Sequence, residues 1–187
     1  MCISIGELSV LYEYGLVMED LAKDKVTAEK LYRSAAKEGD TRAMVHLYRF
    51  LRKDNLQEAQ NFLIMAAERR DGDAELILGD LEFQNNQPRA AFSWYMKAYE
   101  HSSSNEALAK LAFCWLEGYG CNVNMDMFRE ASAKAFKEGS VSICLILGCV
   151  YMEGKVVPKD LKKARFYFEE GKKRGDQLCA EMLTKLK

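Results

Sequence analysis

Residues 147–171 read LGCVYMEGKVVPKDLKKARFYFEEG, and this stretch decides the fold. It holds two runs rich in helix-forming residues, but Gly148 lies inside the first apolar run and Ala164 inside the second. A glycine inside a helix costs about 1 kcal/mol relative to alanine, so some local gain must offset it. Close contact between two helix backbones is such a gain, because it requires small residues. The stretch therefore predicts two helices that pack closely at Gly148 and Ala164.

The pattern of residues 147–171 recurs along the chain. Segments similar to its second run begin at Thr27, Glu58, Ala90, Met127 and Lys163, about 31 to 37 residues apart. Segments similar to its first run begin at Leu8, Leu47, Leu78, Leu111 and Leu147. One helical hairpin cannot bury a wide apolar stripe, whereas stacked hairpins can. The sequence thus predicts an array of repeated hairpins.

Residues that start and stop helices lie where this array needs them. Glycines that follow apolar runs are expected to end helices in the left-handed conformation, at Gly15, Gly39, Gly118, Gly139, Gly154 and Gly175. Expected N-caps are Asp40, Ser104, Ser140 and Asp176, and Pro88 suits a first helical turn. We therefore predict an all-α fold, an α/α superhelix (solenoid), in one domain over residues 1–187. The predicted hairpins span 3–38, 41–70, 73–101, 105–138 and 141–174, and a capping helix spans 177–186.

Charge and composition argue against several classes of protein. The 187 residues contain 27 Lys and Arg against 28 Asp and Glu, a net charge of −1, so no nucleic acid is expected as a partner. No apolar run approaches the roughly 18 residues of a membrane helix, so no membrane insertion is expected. The six cysteines form no CxxC pair, and the N-terminus lacks a signal peptide, which favours reduced thiols in a soluble cytoplasmic protein. A secreted or periplasmic location stays open, because mature chains can lack their signals.

The sequence carries no pattern typical of catalysis or metal binding. GxSxG, GxxxxGK[ST] and HExxH are absent. The two histidines, His46 and His101, lie in different repeats, whereas a zinc site needs paired ligands at short spacing. We therefore expect no enzyme, no metal and no cofactor.

The fifth unit resembles a Sel-1-like repeat, a relative of the tetratricopeptide repeat. The matching residues are Leu147-Gly148, Tyr151, Gly154, Val157, Asp160, Lys163-Ala164, Tyr167-Phe168 and Gly175. The first unit is similar through Leu11-Tyr12, Gly15, Ala28, Tyr32, Ala35-Ala36 and Gly39-Asp40. The fourth unit keeps WLEGYG and KAFKEG but has Met127-Phe128 in place of Lys-Ala, and units two and three lack the glycine loop. The resemblance implies an α-solenoid that docks or scaffolds other proteins, in a family with many bacterial members.

The resemblance also implies a binding surface, because the first helices of tetratricopeptide units line a concave face. Carried onto this sequence, that register suggests Arg42, Arg49, Arg52, Asp80, Phe83, Phe113, Leu116 and Met152 as partner-binding residues. A cationic end followed by an apolar floor would suit an acidic and then hydrophobic segment of another protein. Alternatively, the three arginines form an ordinary solvated face paired with Asp73 and Asp80 of the next unit.

Three functions are compatible with these observations. The first is a non-catalytic interaction module or adaptor that docks a partner segment on the concave face. The second is an immunity or inhibitor protein that neutralises one cognate toxin or effector. The third is self-association through the N-terminal helix, where Ile3, Ile5, Leu8 and Val10 open the chain without a shielding helix.

Overall fold

The computed structural model describes residues 5–186, with side chains from Val10 onward. Within these residues there are eleven α-helices and no β-strand, so the predicted all-α fold is confirmed. They are α1 (Ile5–Asp20), α2 (Lys25–Lys37), α3 (Thr41–Leu51), α4 (Leu56–Glu68), α5 (Gly72–Gln84), α6 (Pro88–Ser102), α7 (Asn105–Glu117), α8 (Met125–Lys137), α9 (Ser142–Glu153), α10 (Leu161–Lys173) and α11 (Gln177–Lys185). Expectations that concern Cys2, Ile3 and the side chains of Ile5 and Leu8 lie outside the described residues.

The helices form two compact units, one that ends at Leu78 and one that begins at Gly79. In the first unit, α2 packs against α1 and α3, and α3 packs against α4. In the second unit, α7 packs against α6, α8 and α9, while α10 packs against α9 and α11. Consecutive helices therefore pack as hairpins within each unit.

Each of the four N-cap residues predicted from the sequence accepts a backbone hydrogen bond at the start of a helix. Asp40 accepts hydrogen bonds from the backbone N–H groups of Arg42 (2.9 Å) and Ala43, and Asp176 caps α11 in the same way. Ser104 caps α7. At α9 the Ser140 hydroxyl accepts from the Ile143 N–H at 3.3 Å, and the Glu106 carboxylate adds a second cap by accepting from the N–H groups of residues 141 and 142. Polar side chains thus satisfy the N–H groups that a helix start leaves unpaired.

The predicted left-handed glycines are confirmed at five positions and wrong at one. Gly39, Gly118, Gly139, Gly154 and Gly175 all have positive φ. Gly15 instead lies inside α1, which continues to Asp20. A Cβ atom on Gly15 would lie 2.4 Å from the Tyr32 ring, so this glycine makes room for a side chain rather than ending a helix.

Three hairpins share one packing device, which we call the glycine–ring pair. The pairs are Gly15 with Tyr32, Gly79 with Tyr95, and Gly148 with Phe168. In each pair a Cβ on the glycine would lie 2.3–2.5 Å from an aromatic ring on the second helix, and each ring is at most 1% exposed. The sequence analysis expected Gly148 to let a helix backbone come close, but the structure shows that it makes room for the Phe168 ring instead.

A polar network closes the core of the first unit. The Tyr32 hydroxyl donates to Glu19 (2.8 Å), and His46 Nε2 lies 2.8 Å from the same carboxylate. Burial, helped by Glu19, raises the pKa of Tyr32 above its ordinary value. Burial opposes ionisation of Glu19, but the hydrogen bonds from His46 and Tyr32 prevail and lower its pKa.

The core of the second unit is apolar and rich in thiols. Phe168, Ile143 and Cys144 are fully buried there, and Cys179 on α11 packs beside them. The five cysteines that the structure describes are unpaired. Burial raises the pKa of Cys179 to about 12, so its thiol is protonated and unreactive at neutral pH.

Candidate partner-binding groove

Two adjacent hollows open on the first-helix side of the second unit. One has a volume of about 270 Å³ and lies mainly between α7 and α9. Its apolar lining comes from Phe113, Leu116, Leu145, Ile146, Cys149, Val150 and Val156. The other has about 370 Å³ and is lined by Phe83, Tyr95, Lys110, Phe113, Ser142, Leu145, Ile146, Asp176 and Leu178. Because Phe113, Leu145 and Ile146 line both hollows, we treat them as one feature, the aromatic groove.

The repeat register explains why apolar side chains line this groove. Small residues such as Ala109 and Ala112 on α7 and Gly148 on α9 are fully or almost fully buried, and they let the helices approach closely. Residues one position further along each helix, Phe113 and Cys149, therefore lie on the exposed side and are only partly buried. The same periodicity that builds the core thus leaves an apolar strip beside it.

Three aromatic rings cluster at one end of the groove, where Phe83 and Phe113 line the hollows and Tyr119 packs against Phe83. The ring centroids of Phe83 and Phe113 are 5.8 Å apart in an edge-to-face arrangement, and those of Phe83 and Tyr119 are 4.8 Å apart. Gly118, with φ of +69°, turns the chain after α7 so that the Tyr119 hydroxyl donates to the Phe83 carbonyl at 3.3 Å. Phe83 remains 39% exposed, which leaves part of the cluster free to contact another molecule.

Asp80 forms a fixed polar anchor beside the rings. It accepts a hydrogen bond from the Tyr95 hydroxyl at 2.8 Å and forms an ion pair with Lys110 Nζ, also at 2.8 Å. Burial raises the pKa of Tyr95, and the bond to Asp80 raises it further. The carboxylate is therefore held in place by two groups of this chain.

The other predicted residues of the second unit differ in their positions. Phe83, Phe113 and Leu116 all line the aromatic groove. Leu116 is only 8% exposed and also belongs to the hydrophobic core. Met152 is half-buried against that core and lies outside the lining of the groove.

The predicted arginines all lie in the first unit. Arg42 donates to Asp40 at 2.8 Å, approaches Glu13 at 3.6 Å, and places its guanidinium 4.8 Å from the centre of the Tyr12 ring. The hydrogen bond to Asp40 raises the pKa of Arg42. Arg49 and Arg52 are exposed at the C-terminal end of α3. The alternative interpretation paired the three arginines with Asp73 and Asp80. In the structure Arg42 contacts Asp40 and Glu13, and Asp80 contacts Tyr95 and Lys110.

Several residues in or beside the groove were not identified as binding residues from the sequence. Lys110 and Ile146 lie on predicted first helices, so the repeat register could have identified them. Tyr119 follows a helix-ending glycine, and Leu178 lies on α11. In the sequence, only the aromatic turn GYG marks Tyr119. No sequence signal marks Leu178, which is 55% exposed in the structure.

The described residues contain neither a metal cluster nor a membrane-spanning helix. No three His, Cys, Asp or Glu side chains among them come close enough to hold a metal ion. No helix in the same part of the chain is long and apolar enough to cross a bilayer.

The sequence matches the family model of the Sel1 repeat at residues 4–40, 43–71, 78–103 and 144–176, together more than half of the chain. The chain belongs to the Sel1 repeat family. Sel1 repeat solenoids are generally non-catalytic modules for protein–protein interaction. The α7–α8 hairpin lies outside the matched ranges of this Sel1 protein.

Solved structures support the solenoid fold. A Sel1 repeat protein from Oxalobacter formigenes is 23% identical, with a TM-score of 0.82 over 94% of this chain and 74% of that one. A protective antigen of uropathogenic Escherichia coli with an SLR fold is 22% identical, with a TM-score of 0.79. The match covers 96% of this chain but only 41% of the antigen. A sel1 repeat protein described as putative, from Klebsiella pneumoniae subsp. pneumoniae, is 25% identical, with a TM-score of 0.65 over 79% of this chain and 74% of that one. No protein of curated description matches the sequence.

Proposed function

We propose that this Sel1 repeat protein is an adaptor that docks a segment of another protein in the aromatic groove. The observation that carries the proposal is the Phe83–Phe113–Tyr119 cluster, which leaves rings partly exposed beside two apolar hollows. Aromatic residues in a concave apolar setting are typical of the few side chains that supply most of the binding energy at an interface. No chemical step is part of the proposal.

The polar rim indicates what kind of segment would fit. Lys110 and Asp80 lie at one edge, while Glu153 and Lys155, 3.0 Å apart, lie at the other. Because both edges carry both signs of charge, apolar contact rather than net charge would dominate affinity. An amphipathic helix that inserts two or three apolar side chains meets these requirements.

The exposed arginines of the first unit stay a separate prediction of partner contacts. Arg49 and Arg52 remain candidates to contact acidic residues of the partner, whereas Arg42 is already engaged by Asp40 and Glu13. Reversing the charge of Arg49 should therefore slow association and reduce its dependence on salt, with little effect on dissociation.

The test selects helical peptides from a displayed library against the whole chain and measures their affinity by calorimetry. Phe113→Ala should weaken the selected peptides by about 30-fold or more, the loss expected for an interface anchor. The matched control is Phe166→Ala, which removes an aromatic side chain that is 50% exposed on α10. Equal losses for both variants, or none for Phe113→Ala in a folded protein, would contradict the groove as the site.

The immunity function, self-association and the cytoplasmic location stay predictions. A dedicated immunity protein would bind one partner with very high affinity over a large surface, whereas an adaptor tolerates several weaker ones. Light scattering of the purified chain tests self-association, and cell fractionation tests the location.

A further inference from the structure

The outer face of α1 carries a row of exposed apolar side chains. Val10, Tyr14, Val17 and Leu21 are each 43–79% exposed. Their spacing of four, three and four residues places them along one side of the helix. The opposite side, with Gly15, packs against α2. A contiguous apolar row on a surface marks a contact with another molecule, and we call this row the α1 stripe.

α9 buries the residues that correspond to the α1 stripe. The glycine–ring pairs align Gly15 of α1 with Gly148 of α9. Three residues of α9 then occupy the register of the first three stripe residues and are at most 9% exposed, namely Ile143, Leu147 and Val150. α9 packs against α7 and α8, the two helices of the preceding hairpin. α1 thus exposes the face that α9 buries against the hairpin before it.

The α1 stripe also differs from a face that continues the array. The first helices of the other hairpins have leucine at the register of Tyr14, namely Leu47, Leu78, Leu111 and Leu147. Tyrosine is enriched where separate proteins meet. α1 is also longer, with 16 residues against 11–13, and the Leu21 N–H still donates to the Val17 carbonyl at 3.0 Å. At the register of Leu21, α9 has already ended at Gly154. The stripe therefore suits a partner other than one more hairpin of the same array.

The last hairpin does not offer a matching surface. α11 packs on α10, with Cys179 buried beside Gly171, so the face of α10 that could receive another first helix is covered. The outer side of α11 exposes Gln177, Glu181 and Lys185, which are polar. A head-to-tail contact between copies at this end is therefore disfavoured. The same stripe on a second copy is apolar, and two such stripes form a closed, two-fold interface.

We propose that two copies of this chain form a symmetric dimer in which the two α1 stripes pack side by side and in parallel. The four–three–four spacing is that of the apolar positions of a coiled coil. Glu13 and Asp20 flank the stripe on one side, and the other side carries Leu11 and Met18. In a parallel pair the acidic side of one copy meets the apolar side of the other. An antiparallel pair would set Glu13 beside Asp20 of the second copy, and like charges in contact are costly. The dimer does not depend on the aromatic groove.

The experiment measures the mass of the whole chain by sedimentation equilibrium over a range of concentrations. A contact built on four side chains predicts a weak dimer, with a dissociation constant of roughly 10–100 μM. Val17→Lys sets two lysines against each other and should raise that constant about tenfold or more. Val17→Glu should have the same effect.

Mixing the two variants tests the parallel arrangement. In a parallel dimer, position 17 of one copy lies beside position 17 of the other. An equal mixture of Val17→Lys and Val17→Glu should therefore dimerise about as well as the wild-type chain, because opposite charges then meet. The matched control is Ile64→Lys, which adds the same charge at a residue of α4 that is 46% exposed and should leave the dimer unchanged.

Several outcomes would overturn the proposal. A wild-type chain that is still monomeric at about 1 mM would mean that the stripe receives a further repeat or a different protein. Assemblies that grow beyond the dimer would mean a head-to-tail contact. A dimer that Val17→Lys and Ile64→Lys weaken equally, or that neither weakens, would lie elsewhere. Failure of the mixture to dimerise would contradict the parallel pair. Circular dichroism checks the fold of each variant, and Tyr14→Lys with Tyr14→Glu repeats the test if a Val17 variant does not fold.

Discussion

Replacing Gly148 with alanine tests whether the glycine–ring pair holds the hairpins together. The added Cβ would lie 2.3 Å from Cε1 of Phe168, 2.5 Å from Cδ1 and 2.7 Å from Cζ. Carbon atoms in ordinary contact are about 3.5–4.0 Å apart, so three ring atoms overlap with the methyl group. Phe168 is fully buried and its ring cannot swing into solvent to relieve the overlap.

Two opposing effects set the magnitude. Overpacking of a close-packed core costs about 1–3 kcal/mol, and three simultaneous overlaps place this site at the upper end. Because alanine has a higher helix propensity than glycine, the substitution also stabilises the helix by about 1 kcal/mol. The net loss is therefore about 2 kcal/mol in the free energy of unfolding. For a chain of this size that lowers Tm by roughly 4–8 °C.

A double-mutant cycle with Phe168→Leu checks the reasoning. Urea unfolding is followed by circular dichroism and by the fluorescence of Trp94 and Trp115, both in the second unit. Because leucine leaves space beside residue 148, Gly148→Ala should cost little or even stabilise in that background. The reasoning would be refuted if Gly148→Ala stabilised the wild-type chain by about 1 kcal/mol, as propensity alone requires. Equal effects in both backgrounds would refute it as well.

Three further predictions concern buried polar groups and thiols. Asp80→Ala leaves the buried Tyr95 hydroxyl without its acceptor and should lower the free energy of unfolding by about 1–2 kcal/mol. Asp80→Asn keeps an acceptor and should cost less. Urea midpoints distinguish the two variants, and equal losses would contradict this reasoning. Burial raises the pKa of Tyr32 and Tyr95 above the ordinary value of about 10, so the folded state holds these protons more tightly than the unfolded state. The contribution of the two hydroxyl groups to stability should be fully present below about pH 10 and fall above it. A urea midpoint that stays constant to about pH 11 would contradict this. Burial raises the pKa of Cys114 and Cys179 to about 12, so iodoacetamide at pH 7.5 should leave both thiols unmodified until urea is added. Mass spectrometry measures the labelling. Rapid labelling of either thiol in the folded chain would contradict this prediction.

The fold could be predicted because its determinants are local and repeated. The spacing between Gly148 and Ala164, seen again in other segments, required paired helices, and aspartates such as Asp40 and Asp176 marked their starts. Gly15 was misjudged because a glycine that ends a helix and one that admits a ring look alike in sequence. Only its contact with Tyr32, seventeen residues later, distinguishes the two.

The groove could be predicted only where it follows the repeat register. Phe83 and Phe113 lie on first helices, so periodicity placed them on the exposed strip. Tyr119 and Leu178 lie on a turn and on the last helix, where no repeat exists to compare with. The ion pair of Asp80 with Lys110 joins residues thirty positions apart, and many acidic and basic residues at that distance were equally plausible partners.

The glycine–ring pair also determines how such an array can be rearranged. In the α3–α4 hairpin the sizes are reversed, with Tyr48 at the register of Gly79 and Leu63 at the register of Tyr95. A graft that joined α3 to α6 would set two tyrosines against each other in a space that holds one ring. A graft that transferred α5 together with α6 would keep Gly79 opposite the Tyr95 ring. Duplication in a genome and recombination at the bench therefore share the same smallest exchangeable unit, the complete hairpin rather than the single helix.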